Sequence, residues 1–246
     1  MKLCRRHLLS LTALAALLAA MIATTSLAAV DRRLRTCEGV RVSFTDGPRF
    51  LSEEEVKNVL DRRCGAYIGQ RLDSLQLYRI ESVLNLQNAV LRSEVWTTDD
   101  GYLNVRITER EPIARFQNGD DGFYVDRNGV YFPLKDSYSA DVPIIDGNAP
   151  VGSDEQSRRI WTQDALAMLS YMDRSGWAGR IVQMHVDGNG DLILIPREGN
   201  ERFVFGQPRD AGEKFSRMED YYRYIKPGEK QYTVVNLKYE GQIICR

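Results

Sequence analysis

The sequence predicts an α+β protein with one membrane-spanning helix near its start, followed by two folded domains. Three patterns lead to this prediction. Residues 8–30 carry no charge and consist largely of Leu and Ala. Residues 39–109 show strand and helix patterns in the order β-α-α-β-β, and residues 113–246 contain short alternating runs separated by turns. The second domain is therefore predicted to be a mainly antiparallel β-sheet with helices.

The composition is that of an ordinary globular protein. Apolar residues make up 43% of the chain, and 33 Lys and Arg stand against 34 Asp and Glu, which gives a net charge of −1. These values exclude collagen-like, low-complexity and wholly disordered chains, and the lack of a basic field argues against a nucleic-acid partner. Two His and four Cys provide little material for a metal site, so we expect no metal and no cofactor.

The charge-free run Leu8–Val30 is long enough to be a transmembrane helix. At a rise of about 1.5 Å per residue it would cover roughly 34 Å, whereas the hydrocarbon core of a bilayer is about 30 Å thick. Small residues at Ser26–Ala29 leave a cleaved signal peptide as the alternative, but the apolar core of such a peptide usually has only about 7–15 residues. We therefore expect an uncleaved anchor.

The charges beside this run nearly balance and do not fix its orientation. Three basic residues precede it and three follow it: Lys2, Arg5, Arg6, Arg32, Arg33 and Arg35. Residues 1–7 are too few to form a domain, so we expect them in the cytoplasm and the body of the protein outside. Cys37, Cys64 and Cys245 would then meet an oxidising compartment, and which of them pair, if any, stays open.

The first domain opens with a strand and a capped helix. Val40, Val42 and Phe44 alternate with polar residues, which is the period of a half-buried strand. Ser52 and Glu55 have the spacing of a capping box, so a helix begins there.

A second helix and a hairpin complete this domain. The helix is predicted over about Ser74–Leu86, where apolar residues recur every three or four positions. The hairpin consists of Ala89–Thr97 and Tyr102–Glu109, joined by an Asp-Gly turn at Thr98–Gly101.

Several short segments follow one another in a characteristic order: Ile68-Gly69 followed by Leu72, Leu75 and Ile80, then Ala89-Val90, Glu94-Val95 and the run Leu103–Ala114. In these segments the sequence resembles the periplasmic start of the FtsQ/DivIB cell-division family, in the version found in the Bacteroidetes, and the order of elements resembles a POTRA domain. This resemblance implies a cytoplasmic tail at 1–7, a transmembrane helix at 8–30, a POTRA domain at 36–112 and an FtsQ-type β domain at 113–246.

The second domain is predicted from turns and periodicity. Its elements are a hairpin of Gly122–Asp126 and Val130–Pro133 around Asn128-Gly129, a strand at Pro143–Gly147, a helix at Thr162–Arg174, a hairpin of Ile181–Val186 and Leu192–Pro196, a strand at Phe203–Phe205, a helix at Glu213–Ile225, and strands at Gln231–Tyr239 and Ile243–Arg246. The phrase Pro143–Gly147 also resembles one in the family.

No residue pattern indicates catalysis. Asp187, Asn189 and Asp191 imitate the ligand spacing of a calcium loop, but Leu192 stands where that loop needs Gly, so a hairpin turn is the favoured interpretation. His185 has no nucleophile in a recognisable setting, and no phosphate-binding Gly-rich loop is present in the sequence. We therefore expect a non-enzymatic protein without catalytic residues and without a small-molecule substrate.

The resemblance implies a divisome scaffold in the inner membrane, with a periplasmic body enriched at the division septum. Such proteins link early division components to the septal peptidoglycan synthase complex through FtsB-like and FtsL-like partners. The alternative function is a POTRA-bearing chaperone of periplasmic transport or outer-membrane assembly, which would need further POTRA repeats or a β-barrel.

The resemblance also places the partner-binding site in the last long strand. The candidate residues are Thr233, Val234, Val235, Asn236, Leu237, Lys238 and Tyr239. This strand is expected at a sheet edge, where FtsB would add a strand, with Val235 and Leu237 facing the core. The alternative is that Ile243–Arg246 covers this edge and that the strand is purely structural.

Overall fold

The computed structural model describes residues 14, 16–22, 35–47, 49–119, 121–136, 138–148 and 155–246. The predicted tail at 1–7 and most of the predicted anchor Leu8–Val30 lie outside these residues, although residues 16–22 are helical. Among the described residues, no helix combines the length and the apolar character needed to cross a bilayer.

The described chain divides into two compact units. The small unit comprises residues 35–46 and 51–108, and the large unit comprises Gly47–Phe50 and Glu109–Arg246. The predicted boundary between residues 112 and 113 differs from this division, in which the short segment Gly47–Phe50 also belongs to the large unit.

The small unit confirms the predicted order β-α-α-β-β. Its elements are β1 (Gly39–Phe44), α1 (Glu53–Cys64), a 3₁₀ turn (Leu72–Ser74), α2 (Leu77–Asn85), β2 (Val90–Thr97) and β3 (Tyr102–Glu109). Within the described residues the strands form a three-stranded sheet in the order β1-β3-β2, with β1 parallel to β3. Gly101, at a φ of 88°, closes the predicted turn between β2 and β3.

The start of α1 is fixed by the predicted capping box. The Ser52 hydroxyl accepts a hydrogen bond from the Glu55 main-chain N–H at 3.2 Å, and the Glu55 carboxylate accepts one from the Ser52 main-chain N–H at 2.9 Å. These bonds satisfy two donors that would otherwise lack a helical partner. Val56 and Leu60 then bury the inner face of α1 in the core of the small unit.

The second helix of the small unit is shorter than predicted. The 3₁₀ turn at Leu72–Ser74 is followed by Leu75 in extended conformation, and α2 begins only at Leu77. Ile80 and Leu84 are buried, whereas Tyr78 is 83% exposed. The apolar spacing predicted a helix but did not identify which of its apolar residues face the core.

The large unit is built on a mixed sheet. Its strands are β4 (Pro112–Asn118), β5 (Asp121–Asp126), β6 (Tyr131–Pro133), β7 (Ile144–Gly147), β8 (Ile181–Val186), β9 (Leu192–Pro196), β10 (Arg202–Gly206), β11 (Val234–Asn236) and β12 (Ile244–Cys245). In the described part of the chain they form a nine-stranded sheet in the order β12-β11-β10-β9-β8-β7-β4-β5-β6. The pairs β4–β7, β7–β8 and β10–β11 are parallel, and the other pairs are antiparallel.

Two helices supply the other layer of the large core. Helix α3 spans Glu155–Ser175, so it starts earlier than predicted, and α4 spans Ala211–Asp220. Met168 and Met172 of α3 and Phe215 of α4 join sheet residues such as Phe203 in one buried cluster. The predicted continuation of α4 to Ile225 is instead a π-helical turn, Tyr221–Ile225.

Phe50 explains why residues 47–50 belong to the large unit. Its ring makes edge-on contacts with Tyr124, Phe132 and Tyr138, at centroid distances of 5.3, 5.1 and 4.9 Å. Its main-chain N–H also donates to the Glu109 carboxylate at 3.2 Å. Such aromatic contacts add to the free energy gained by burial, so this segment is held firmly.

Candidate functional site

The predicted partner-binding strand lies inside the sheet, so the prediction that it forms the edge is wrong. On one side β11 runs parallel to β10, with Val235 opposite Phe203. On the other side it runs antiparallel to β12, with Val235 opposite Cys245 and Asn236 opposite Ile244. The alternative interpretation, in which Ile243–Arg246 covers the strand, is the one that the structure adopts.

A short turn allows β12 to fold back on β11. Gly241 has a φ of 65°, a conformation that favours glycine, and the Gln242 N–H donates to the Tyr239 carbonyl at 3.3 Å. Arg217 of α4 donates from Nη1 to the carbonyls of Tyr239 and Gln242. The guanidinium thus joins both ends of the turn to the helical layer.

The candidate residues divide into a buried set and an exposed set. Val235 and Leu237 are fully buried, which confirms their predicted orientation toward the core. Val234 and Asn236 are half-buried, and Thr233, Lys238 and Tyr239 are exposed. The alternation of the sequence would place Tyr239 on the same side as Val235 and Leu237, but β11 ends at Asn236 and the alternating burial stops after Leu237, so Tyr239 is exposed.

Lys238 is bound within the protein. Its Nζ donates to the Asp191 carboxylate at 2.5 Å, and Gln207 Nε2 donates to the same carboxylate at 2.9 Å. Its main-chain N–H donates to the Asn236 side-chain oxygen at 2.9 Å. Lys238 therefore joins the turn after β11 to the hairpin tip of β8–β9, and its main-chain N–H is already bonded to Asn236 within the chain.

The calcium-like spacing of Asp187, Asn189 and Asp191 is explained by the turn between β8 and β9. The Asp187 carboxylate accepts hydrogen bonds from the Asn189 and Asp191 N–H groups at 2.8 and 3.0 Å, and the Asp187 N–H donates to the Asp191 carbonyl at 2.9 Å. With Val186 paired to Leu192, this is the hairpin turn that the sequence predicted.

The ion pair between Asp191 and Lys238 makes the free energy of unfolding depend on pH. Burial alone would raise the pKa of Asp191, but the hydrogen bonds from Lys238 and Gln207 outweigh it and hold that pKa below its ordinary value. A carboxyl group with a lowered folded-state pKa stabilises the fold fully above its ordinary pKa, about 3.9, and loses this contribution as the pH falls through the folded-state value.

Lys238→Met should therefore lower the free energy of unfolding at pH 7, because the buried Asp191 carboxylate loses its charged partner. Lys57→Met is the matched control, since Lys57 pairs with Glu53 at 3.7 Å and both side chains are exposed. Urea unfolding at a series of pH values checks this. The deficit of Lys238→Met should shrink below about pH 4, and a deficit that is constant with pH would contradict the assigned role.

Within the described part of the chain, β12 is the edge strand at this end of the sheet. Arg246 and Val234 exchange both main-chain hydrogen bonds, at 2.9 and 3.1 Å. Since hydrogen-bonded and non-hydrogen-bonded pairs alternate along antiparallel strands, the N–H and C=O of Cys245 point away from β11. These groups lie where an added strand would pair. Burial raises the pKa of the Cys245 thiol, so the sulfur stays protonated at neutral pH.

Two other sheet edges, β6 and β2, are less suited to strand addition. At the opposite end of the large sheet, β6 contains Pro133, which has no N–H to offer a partner strand. In the small sheet, the β2 edge is capped by α2, because the Ser93 N–H donates to Asn85 at 2.8 Å and the Val95 N–H donates to Glu81 at 2.9 Å. Side chains thus already occupy the donors that a partner strand would need there.

The residues that hold this edge in place were not predicted from the sequence. The β11–β12 turn is held by Arg217, which bonds the Tyr239 carbonyl, and by Asp191, which binds Lys238 and is itself bonded by Gln207. Each of these residues lies far from the turn in the sequence. The Glu240-Gly241 pair between two apolar runs was the one local signal for the reversal of the chain.

Comparison with known proteins assigns both units. The sequence model described as FtsQ/DivIB, C-terminal related, matches residues 111–246, which is more than half of the chain. The chain belongs to the FtsQ/DivIB family. A POTRA-like domain model matches residues 35–108. The resemblance found in the sequence is thereby confirmed, as is the α+β class with a POTRA-like domain.

Two curated proteins named as cell division proteins are distant relatives of this chain. The cell division protein FtsQ of Salinibacter ruber (strain DSM 13855 / M31) is 24% identical over 154 residues, covering 59% of this chain and 60% of that protein. The cell division protein FtsQ of Geotalea daltonii (strain DSM 22248 / JCM 15807 / FRC-32) is 22% identical over 187 residues, covering 74% of this chain and 67% of that protein. The match to the Salinibacter protein therefore spans less than two thirds of its length.

Proposed function

We propose that this chain is a non-enzymatic scaffold of the division machinery that binds an FtsB-like partner by strand addition at β12. Membership of the FtsQ/DivIB family supports the role in cell division, and both relatives described above are named cell division proteins. The observation that carries the binding mode is the outward main chain of Cys245 at the end of the large sheet. The chaperone alternative is not favoured, because residues 111–246 match the FtsQ/DivIB model.

The proposed site combines β12 with the residues first assigned from the sequence. The edge strand would supply main-chain hydrogen bonds. Residues Thr233–Tyr239 hold it in place, because β11 pairs with β12 and the turn joins the two strands. Ile244, paired with Asn236, offers an apolar side chain on the open face of the sheet. Main-chain bonds would give the affinity, and the side chains beside them the selectivity.

We further propose that Leu8–Val30 is retained as an inner-membrane anchor, with residues 1–7 in the cytoplasm and the body in the periplasm. The sequence supports this proposal through the length of the uncharged run. FtsL-like proteins and the septal peptidoglycan synthase complex would join through the FtsB-like partner. We also propose residues 36–112 as the POTRA domain and residues 113–246 as the β domain.

A fluorescent fusion of the full chain, as the only copy in dividing cells, should concentrate at the septum. Its depletion should give filaments, because septal synthesis would lose its link to the early components. Mass spectrometry of the mature N-terminus should show that Leu8–Val30 is retained. An even distribution around the envelope with normal division would overturn the proposed role, and a terminus near Val30 would overturn the anchor alone.

A further inference from the structure

A pocket of about 350 Å³ lies in the large unit, and no residue of β12 lines it. The turn before β8, the residues that end and follow β9, and the π-helical turn enclose it. Its lining side chains are Arg180, Pro196, Arg197, Glu198, Tyr222 and Lys226. The volume is within the usual range for small-ligand sites, about 300–1,000 Å³. Neither the sequence pattern nor the family assignment pointed to this pocket.

The two guanidinium groups are held by contacts other than their acidic partners. Arg180 lies over the Trp177 ring, with Cζ 3.7 Å from the ring centroid, and 5.2 Å from that of Tyr222. Arg197 donates from Nε to the Gly179 carbonyl at 2.9 Å. Stacking and main-chain hydrogen bonds fix a planar guanidinium in advance, which lowers the entropy lost when it binds a carboxylate.

The acidic partners of these arginines lie on the surface. Arg180 pairs with Glu219 and Arg197 pairs with Asp141, and the side chain of Asp141 is 83% exposed. Exposed ion pairs contribute little to stability and exchange readily. A guanidinium has five N–H donors, so both arginines keep donors that have no partner among the described residues.

The π-helical turn forms one wall of the pocket. The Lys226 N–H donates to the Tyr221 carbonyl at 2.8 Å, a bond across five residues in place of the usual four. Lys226 Nζ pairs with the buried Glu201 carboxylate at 2.7 Å, and it lies 4.8 Å from the centroid of the Tyr222 ring. Burial, followed by the nearby Glu201 charge, raises the pKa of Tyr222, so this wall presents a neutral aromatic ring.

We propose that this pocket binds a zwitterionic dipeptide. Arg180 and Arg197 would receive its carboxylate, which matches the fork geometry of the guanidinium. Glu198, the one acid among the lining side chains, would receive its ammonium group. The apolar part of the peptide would pack on Pro196 and Tyr222. This binding would be independent of strand addition at β12.

Calorimetric titration of the full chain with the dipeptide Ala-Ala tests the proposal. Ala-Ala should bind, while N-acetyl-Ala-Ala, which lacks the ammonium, and Ala-Ala amide, which lacks the carboxylate, should each bind about tenfold more weakly, the effect of losing roughly 1.4 kcal/mol. Inorganic phosphate is the probe for a simple anion site. Equal binding of phosphate and Ala-Ala, equal binding of the three peptides, or no binding of any peptide would overturn the proposal.

Two variants separate recognition from folding. Glu198→Gln should weaken Ala-Ala binding about tenfold but leave N-acetyl-Ala-Ala unchanged, because only the ammonium contact is lost. Arg197→Gln should weaken both peptides. Arg209→Gln is the control, since Arg209 is exposed and does not line the pocket. If Glu198→Gln weakened both peptides equally or neither, Glu198 would not bind the ammonium and the zwitterion proposal would fail.

Discussion

Gly147→Ala is expected to lower the free energy of unfolding of the large unit by about 3 kcal/mol. Gly147 ends β7 with a φ of 85°, a left-handed conformation that costs a residue with a Cβ about 1–2 kcal/mol. A Cβ there would lie 2.3 Å from the Val186 carbonyl oxygen, and this oxygen already accepts the Asn148 N–H at 2.7 Å. The backbone shifts that relieve such overpacking typically cost roughly 1–3 kcal/mol more, in addition to the cost of the left-handed conformation.

Urea unfolding followed by tryptophan fluorescence measures this effect. Gly188→Ala is the matched control in the turn between β8 and β9, because no atom lies within 4 Å of its would-be Cβ and its φ is not left-handed. The control should change stability by less than about 0.5 kcal/mol, as surface substitutions usually do. If the two alanine variants were equally stable, the contact between β7 and β8 would not be as tight as described.

Cys245→Pro should weaken binding of an FtsB-like segment at least about tenfold while leaving the chain folded. Proline removes the outward N–H of β12, and the carbonyl that it should meet on the added strand stays unsatisfied, at a cost of about 1–3 kcal/mol. The bonds between Val234 and Arg246 do not use this N–H and should persist. Calorimetry with the synthetic segment gives the affinity, and circular dichroism checks the fold.

Cys245→Ala is the control for this substitution. It removes the half-buried thiol, as proline does, but keeps the main-chain donor. Its affinity should stay within about twofold of the unchanged chain, since the hydrogen bond and not the sulfur would carry recognition. Equal affinities of folded Cys245→Pro and of the control would show that the partner does not pair with β12.

Local signals predicted most of the strands and the start of α1. The capping box at Ser52 and the turn glycines Gly101 and Gly129 depend only on residues close to them in the chain, so the local sequence is enough to predict them. Strand β4 was missed because a register shift between Pro112 and Ala114 interrupts its alternation. The π-helical turn was missed because its sequence, including Tyr222, continues a helical pattern.

The candidate site was predicted less well because strand order is a property of the whole sheet. The alternation around Val235 correctly predicted which side faces the core. It could not show that β12 would cover β11, since that depends on Arg217 and Asp191, which contact the turn only after folding. The location of the free edge therefore required the structure.

Amide hydrogen exchange of the full chain, with and without an FtsB-like segment, tests strand addition at β12 most directly. If the segment adds to β12, the Cys245 amide, which points away from β11, should become protected when the segment binds, while the Ser93 and Val95 amides of β2 should not change. New protection at β1 or β2 with no change at Cys245 would contradict strand addition at β12 and would place the partner on the small unit.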